Sequence, residues 1–179
     1  MLTRDDVLLV VVDVQGKLAT LMHEYQALVH NLQSLTKGSV LLNIPILWLE
    51  QLPEKLGPTI PELKQVLTSL TPIEKSTFSA CGTMEFTAAL RGSGRKQILL
   101  AGIETHICVY QTAVDLLEQG FDVEVVVDAV SSRTERNKEV ALDKMSALGA
   151  DLTTVEMALF ELMQTAEAPE FRDIAKLIK

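Results

Sequence analysis

The stretch VLLVVVDV, from Val7 to Val14, decides the fold class of this 179-residue chain. It shows no alternation of apolar and polar residues, which is the pattern of a parallel strand covered on both faces. Its one polar residue, Asp13, comes after six apolar ones and so falls at the carboxyl end of the strand. The stretch therefore predicts a central strand that ends in a carboxylate.

Strand-like and helix-like segments alternate along the rest of the chain. Further strands are predicted at 44–49, 72–74, 97–101, 122–127 and 152–154. Helices are predicted at 24–42, 62–70, 84–91, 107–118, 138–148, 157–163 and 169–178. Because right-handed crossovers return each strand to the same sheet, this order predicts a three-layer, doubly wound α/β fold with helices on both faces. No repeat or linker interrupts the chain, so we expect one domain over residues 1–179.

A ligand crevice is expected at one place in such a sheet. Ligands bind outside the carboxyl ends of the strands, where the strand order reverses. For the order 3-2-1-4-5-6, that point lies between the first and fourth strands. Asp13 ends the first strand and the loop from Gly102 to Cys108 leaves the fourth, so both are predicted to face one crevice.

Composition limits the class of partner. The formal net charge is -8, whereas a nucleic-acid surface needs clustered Lys and Arg, so a small-molecule substrate fits better than a nucleic acid. The apolar run near the start is too short to span a membrane and lacks the basic leader of a signal peptide. We therefore expect a cytoplasmic protein with no membrane partner. In a reducing compartment, Cys81 and Cys108 are expected to be free thiols.

Three residues are candidates for chemistry, and each has a structural alternative. Cys108 is predicted near the first turn of a helix, where free N–H groups favour a thiolate, although a buried cysteine often serves only as a small apolar residue. Asp13 interrupts an apolar strand, although an aspartate there often caps the next turn. Lys75 follows the third strand, where a solvated lysine is the default.

Together the three residues suit acyl chemistry on a carbonyl carbon. The ammonium of Lys75 would lower the pKa of the thiol, and Asp13 would accept the thiol proton and return it to a leaving group. Cys108 would form a covalent intermediate that water then releases. Backbone N–H groups just before Cys108 would stabilise the oxyanion.

At this point the chain resembles the isochorismatase-like cysteine hydrolases over nearly its whole length. The resemblance rests on three segments: DVQ at 13–15, EKSTFSA at 74–80 and GIETHICV at 102–109. It implies that Asp13, Lys75 and Cys108 are the catalytic triad and that the sheet has six parallel strands. It also implies a cis peptide bond between Ile103 and Glu104, and an oxyanion hole made by the backbone amides of Glu104 and Cys108.

The substrate is less defined than the mechanism. The segments LEQLPEKLGPT at 49–59 and DAVSSR at 128–133 are similar to a subgroup of small hydrolases without an assigned substrate. Nicotinamidases of this superfamily hold a metal just after the second strand with an Asp and two His, and no histidine lies there in this chain. His23, His30 and His106 are too scattered for a metal site, so no metal or cofactor is expected. The candidates for the pocket wall are Gln15, Gln51 and Phe78.

Two other classes of function compete with a hydrolase. A nucleotide-binding oxidoreductase would need GxGxxG after the first strand, where this chain reads DVQGKLAT. A non-catalytic binding or scaffold protein with the same fold stays open, because folds host unrelated functions. Cys81 is more easily explained by packing or a subunit contact than by redox chemistry. The superfamily usually forms dimers or larger assemblies, so a homo-oligomer is expected.

Overall fold

The computed structural model describes residues 1–179 and has six strands and nine α-helices. The strands are β1 (Val7–Val12), β2 (Ile46–Gln51), β3 (Ile73–Lys75), β4 (Gln97–Ile103), β5 (Asp122–Ser131) and β6 (Asp151–Thr153). The helices are α1 (Gly16–Thr20), α2 (Tyr25–Leu41), α3 (Pro53–Leu56), α4 (Pro61–Lys64), α5 (Met84–Ser93), α6 (Tyr110–Glu118), α7 (Glu135–Ala147), α8 (Val155–Met163) and α9 (Phe171–Leu177). None of these helices is both long and apolar enough to cross a membrane.

The six strands form one parallel sheet with the order β3-β2-β1-β4-β5-β6. This confirms the predicted doubly wound topology, in which the chain reverses direction across the sheet between β1 and β4. β1 is hydrogen-bonded on both sides, to β2 and β4, and all six of its residues are buried. Its unbroken apolar sequence is therefore explained by cover on both faces.

Two apolar cores lie on opposite faces of the sheet. Val7, Leu9 and Val11 pack into a core of 29 buried residues with side chains from α2 and α8. The alternate residues of β1 pack into a second core of 20 buried residues with side chains from α5, α6 and α7. Because successive strand side chains point to opposite faces, β1 supports both layers of helices.

Gly102 allows β4 to lie close to β1 just before the ligand crevice. It has φ +114, and a Cβ there would lie 2.1 Å from the carbonyl oxygen of Val12. Any side chain would therefore separate the two strands at the position next to Asp13.

Several predicted boundaries were wrong. The helix predicted at 62–70 is only the four-residue α4, and irregular turns follow it, with Leu63 and Leu67 buried and Leu70 exposed. β5 continues past Val127 to Ser131 because its register against β4 shifts between Leu100 and Gly102. The helices α1 and α3 were not predicted.

Candidate active site

Asp13 lies directly after β1, and its residue is only 3% exposed. Its backbone adopts the left-handed conformation with φ +52, which aspartate tolerates better than most residues. Its N–H donates to the carbonyl of Leu49 at 3.3 Å, which ties it to the end of β2. The sheet therefore holds this carboxylate at the predicted crevice.

Cys108 lies in a π-helical turn, Thr105–Val109, that runs directly into α6. The carbonyl of Glu104 accepts hydrogen bonds from the N–H groups of Ile107 at 3.0 Å and Val109 at 3.2 Å, which fixes the turn after β4. The Cys108 Sγ donates to Gln51 Oε1 at 3.3 Å. The predicted helix start at 107 is therefore a wider turn that begins two residues earlier.

Lys75 is the last residue of β3, and its side chain is fully buried. β3 lies two strands from β1, a gap of about 10 Å, which the extended lysine stem crosses. Its Nζ lies 2.6 Å from Asp13 Oδ2. It also donates to Gln51 Oε1 at 2.7 Å and to the carbonyls of Thr77 and Phe78 at 3.1 Å each. Four oxygens thus surround the ammonium.

The Asp13 carboxyl interacts with both the ammonium of Lys75 and the thiol of Cys108. Burial raises the pKa of the Asp13 carboxyl, and the charge of Lys75 partly offsets this rise. Lys75 Nζ lies 2.6 Å from Asp13 Oδ2, and interactions with the side chains of Lys75 and Cys108 both lower the pKa of the Asp13 carboxyl. The carboxylate therefore lies where it can accept a proton from the Cys108 thiol.

Lys75 lowers the pKa of the Cys108 thiol, in the expected direction, but other effects outweigh it in the resting site. Burial, followed by the negative charge of Asp13, raises the pKa of Cys108 to about 12. Lys75 opposes this rise but does not outweigh it, because its ammonium is paired with Asp13 and with three other oxygens. Cys108 is therefore a protonated thiol at neutral pH.

A pocket of about 240 Å³ opens onto these groups. Its wall includes Asp13 and Cys108, together with two of the three predicted pocket residues, Gln51 and Phe78. The remaining lining residues are Leu18, Leu56, Ile103, Glu104 and Ile107. Lys75 lies behind the wall. The site therefore combines a sulfur and a carboxylate with mostly apolar surroundings.

Gln15, the third predicted pocket residue, does not line the pocket. It is fully buried, and its side-chain amide accepts from the N–H of Gln51 at 2.6 Å and donates to the carbonyl of Gln51 at 3.1 Å. It also donates to the carbonyl of Gly57 at 2.7 Å. Gln15 therefore positions the backbone that carries the pocket residue Gln51.

Two charged residues near the site were not singled out from the sequence. Glu50 is buried in β2 and accepts two hydrogen bonds of 2.7 Å from Thr59, one from its N–H and one from its hydroxyl. Arg133 donates from Nε and from its backbone N–H to Glu104 Oε2 at 3.1 and 3.2 Å. A carboxylate within an apolar strand and the arginine of DAVSSR were the available signals.

The peptide bond between Ile103 and Glu104 is cis. It joins the end of β4 to the π-helical turn. Ile103 and Glu104 both line the pocket on the side of Cys108. The backbone amides named for an oxyanion hole therefore belong to residues of the pocket wall.

The remaining candidates lie outside this pocket. His106 Nδ1 is 2.9 Å from the hydroxyl of Ser132, and no group of three or more His, Cys, Asp or Glu side chains is arranged to hold a metal. Cys81 packs against the second core, and burial raises the pKa of its thiol to about 11. A larger cavity, of about 320 Å³, lies between α2, β5 and α7 and contains none of the three predicted catalytic residues.

A family model and a curated relative that match this chain carry the same family description. The model of the isochorismatase domain matches residues 7–157. The chain is 39% identical over 175 residues to the secreted isochorismatase effector Isc1 of Phytophthora sojae. The matched region covers 96% of this chain and 83% of that protein.

Solved structures agree over almost the full length of the chain. The MAR1 ribonuclease from Caenorhabditis elegans is 37% identical with a TM-score of 0.93, covering 99% of this chain and 91% of that one. The YcaC protein of Escherichia coli, described as an octameric hydrolase of unknown specificity, is 29% identical with a TM-score of 0.93, covering 99% and 88%. YcaC from Pseudomonas aeruginosa, with hexane-2,5-diol and covalent acrylamide, is 27% identical with a TM-score of 0.90, covering 99% and 95%.

Proposed function

The chain belongs to the isochorismatase family, and on that premise we propose that it is a cysteine hydrolase of small-molecule amides, esters or related compounds. The observation that carries this proposal is that Asp13 and Cys108 line one small pocket and that Lys75 pairs with Asp13 behind its wall, although the three residues come from distant parts of the chain. The proposed enzyme is one isochorismatase-like domain over residues 1–179.

In the proposed reaction, Asp13 accepts the thiol proton as Cys108 Sγ attacks the carbonyl carbon of the substrate. The backbone N–H groups of Glu104 and Cys108 stabilise the oxyanion of the tetrahedral intermediate. Asp13 then gives the proton to the leaving nitrogen or oxygen, the carbon–heteroatom bond breaks, and a thioester remains. A water molecule, activated by Asp13, hydrolyses the thioester and restores the thiol.

Lys75 has an electrostatic part in this mechanism. Its ammonium lies 2.6 Å from Asp13 Oδ2, so it favours the ionised carboxylate that a general base requires. Gln51 accepts from both Lys75 and Cys108 and so links the ammonium to the sulfur.

The covalent acrylamide in the Pseudomonas aeruginosa relative supports a covalent step in this family. Acrylamide is a small neutral amide with an electrophilic carbon, so a protein that bonds to it holds a nucleophile that such a compound can reach. Cys108 is the nucleophile that faces the pocket here. We therefore propose the same kind of adduct at Cys108.

A relative is named a ribonuclease, but the pocket of this chain favours a small substrate. No lysine, arginine or histidine lines the pocket, and the chain has a net charge of -8, whereas phosphate binding needs clustered basic residues. RNA is still included in the substrate test, because the name of that relative makes it the competing candidate.

We also propose that the protein is cytoplasmic and forms a homo-oligomer, a dimer or larger. The octameric relative supports self-association, as do Met157 and Phe160, which α8 exposes on one side. The two unpaired thiols, Cys81 and Cys108, suit a reducing compartment. Light scattering on the purified chain measures the assembly directly.

The decisive experiment combines labelling with turnover. Intact-mass spectrometry should show one acrylamide added to the wild type and to Cys81→Ser. Over the same time, Cys108→Ser should gain none. A panel of amides, esters, isochorismate and RNA should then give turnover that Cys108→Ser abolishes and Cys81→Ser retains. Equal, slow labelling of both cysteines would favour the non-catalytic scaffold. Turnover that survives in Cys108→Ser would exclude the covalent mechanism.

A further inference from the structure

The ionisable groups that line the active-site pocket are all acids. They are the carboxyls of Asp13 and Glu104 and the thiol of Cys108, and no basic side chain is part of the lining. The other polar lining residue is Gln51, whose side-chain oxygen already accepts hydrogen bonds from Lys75 and Cys108. A ligand therefore meets negative charge and apolar surface, with no basic side chain in the wall to pair with an anion.

The cations that balance these carboxylates are already engaged. The side chain of Lys75 has no exposed surface, and its Nζ is surrounded by Asp13 Oδ2 and three hydrogen-bonding oxygens. Arg133 binds Glu104 Oε2 through Nε and through its backbone N–H, and it does not line the pocket. His106 Nδ1 lies 3.9 Å from the same oxygen but is bonded to Ser132.

Pairing by Arg133 leaves one oxygen of Glu104 for a ligand. Both bonds from Arg133 reach Oε2, while Oε1 has no hydrogen-bond partner and is not fully enclosed. Glu104 is a lining residue, so this oxygen can accept an N–H from a ligand that reaches it.

The rest of the pocket is apolar and small. Five of its nine lining residues are Leu18, Leu56, Phe78, Ile103 and Ile107. Its volume of about 240 Å³ is below the range of about 300–1,000 Å³ that holds drug-sized ligands. A charged carboxylate placed there would lose its water and meet two carboxyl groups with no basic side chain to balance its charge, which disfavours binding.

We propose that this pocket selects small, uncharged carbonyl compounds with an apolar body, and primary amides above all, and that it rejects substrates that carry a carboxylate. The inference rests on the proposed function, because it names the substrate class of the same site. It predicts that isochorismate, a dicarboxylate, is a poor substrate despite the family name.

The test compares two alkylating agents of nearly the same size that differ in charge. Iodoacetamide is neutral and iodoacetate is an anion at pH 7. In both reactions the Cys108 sulfur bonds to the methylene carbon, the carbon–iodine bond breaks, and the thiol proton goes to Asp13 and then to buffer. Dividing the rate ratio at Cys108 by the ratio for 2-mercaptoethanol removes the intrinsic difference between the reagents.

The corrected preference for iodoacetamide should be about tenfold or more at low salt. Phe78→Lys adds a cation at an exposed rim position and should reduce this preference, whereas the neutral control Phe78→Gln should retain it. Arg133→Gln should retain or increase it, because it removes a cation bound to Glu104.

The outcomes separate this inference from the proposed function. Rapid labelling of Cys108 with no corrected preference, or with a preference for iodoacetate that Arg133→Gln abolishes, overturns the substrate class but leaves the nucleophile. If neither reagent labels Cys108 faster than Cys81, the proposed function fails, and this inference fails with it.

Discussion

Replacing Asp13 with Asn tests whether this carboxylate acts as a base or only as a charge. Asn has nearly the same shape and also tolerates the left-handed conformation that Asp13 adopts at φ +52, so the backbone need not change. The two roles predict opposite effects on the reaction of Cys108 with acrylamide. A base that is removed slows the reaction, whereas a repelling charge that is removed speeds it.

The structure sets the size of both effects. With a pKa of about 12, only about one Cys108 in 10⁵ is a thiolate at pH 7, so unassisted attack is slow. Loss of the Asp13 charge lowers that pKa, and each unit raises the thiolate fraction about tenfold. Loss of a general base instead slows the reaction by about 10²–10⁴. We expect the second effect to prevail and the labelling rate to fall about a hundredfold or more.

The same substitution removes the counterion of a buried ammonium. Breaking a buried ion pair on one side costs about 3–5 kcal/mol. We expect the lower end of that range, because Lys75 keeps its hydrogen bonds to Gln51 and to two carbonyls. Urea unfolding measures this loss and shows whether the variant is still folded when its thiol is labelled.

The rates are best compared in a Cys81→Ser background, where one thiol remains. Asp143→Asn is the matched control, since it removes the same charge from an exposed position on α7 and should leave the labelling rate unchanged. A folded Asp13→Asn variant that labels as fast as the parent, or faster, would falsify the role of Asp13 as a base.

Two further predictions follow from the same contacts. In a plot of the labelling rate of Cys108 against pH, Lys75→Met should move the acid limb to higher pH. Burial already raises the pKa of Asp13, and the substitution removes the ammonium that lowers it. An acid limb that stays in place or moves to lower pH would contradict the role of Lys75 in keeping Asp13 ionised. Gly102→Ala should lower the free energy of unfolding by about 3–5 kcal/mol in urea, because its Cβ would lie 2.1 Å from the Val12 carbonyl at a positive φ. Gly92→Ala, whose Cβ meets nothing within 4 Å, should be neutral or slightly stabilising, and equal losses in both variants would refute the steric explanation.

The sheet order and the crevice could be predicted because strong local patterns determine them. An apolar run such as Val7–Val12 has few alternatives to a central parallel strand, and the position of Asp13 after it follows directly. β5 was harder to delimit, because Asp128 looks like the end of a strand. Its carboxylate in fact accepts from the N–H of Val155 at 2.9 Å at the start of α8, a contact between residues 27 positions apart.

The orientation of Gln15 could not be read from the sequence. In an extended strand, side chains alternate between the two faces, so Asp13 and Gln15 would share one face. The left-handed conformation of Asp13 interrupts that alternation, and Gln15 instead binds the backbone of Gln51 and Gly57. A single dihedral angle that depends on neighbouring strands therefore decides which side chain reaches the pocket.

The net rise in the pKa of the Cys108 thiol could not be predicted from the sequence, because it depends on burial and on the distances between charges. A lysine near a cysteine favours the thiolate only if its charge acts on the sulfur more strongly than burial and other charges do. Here Nζ lies 2.6 Å from Asp13 Oδ2, so its charge mainly stabilises the carboxylate, and that carboxylate in turn disfavours a second negative charge on Cys108. The structure thus holds a protonated thiol beside the Asp13 carboxyl, which suits the proposed mechanism, in which the proton moves as the sulfur attacks. Because oxidation of cysteine depends on thiolate character, the raised pKa of Cys108 also makes its thiol less prone to oxidation.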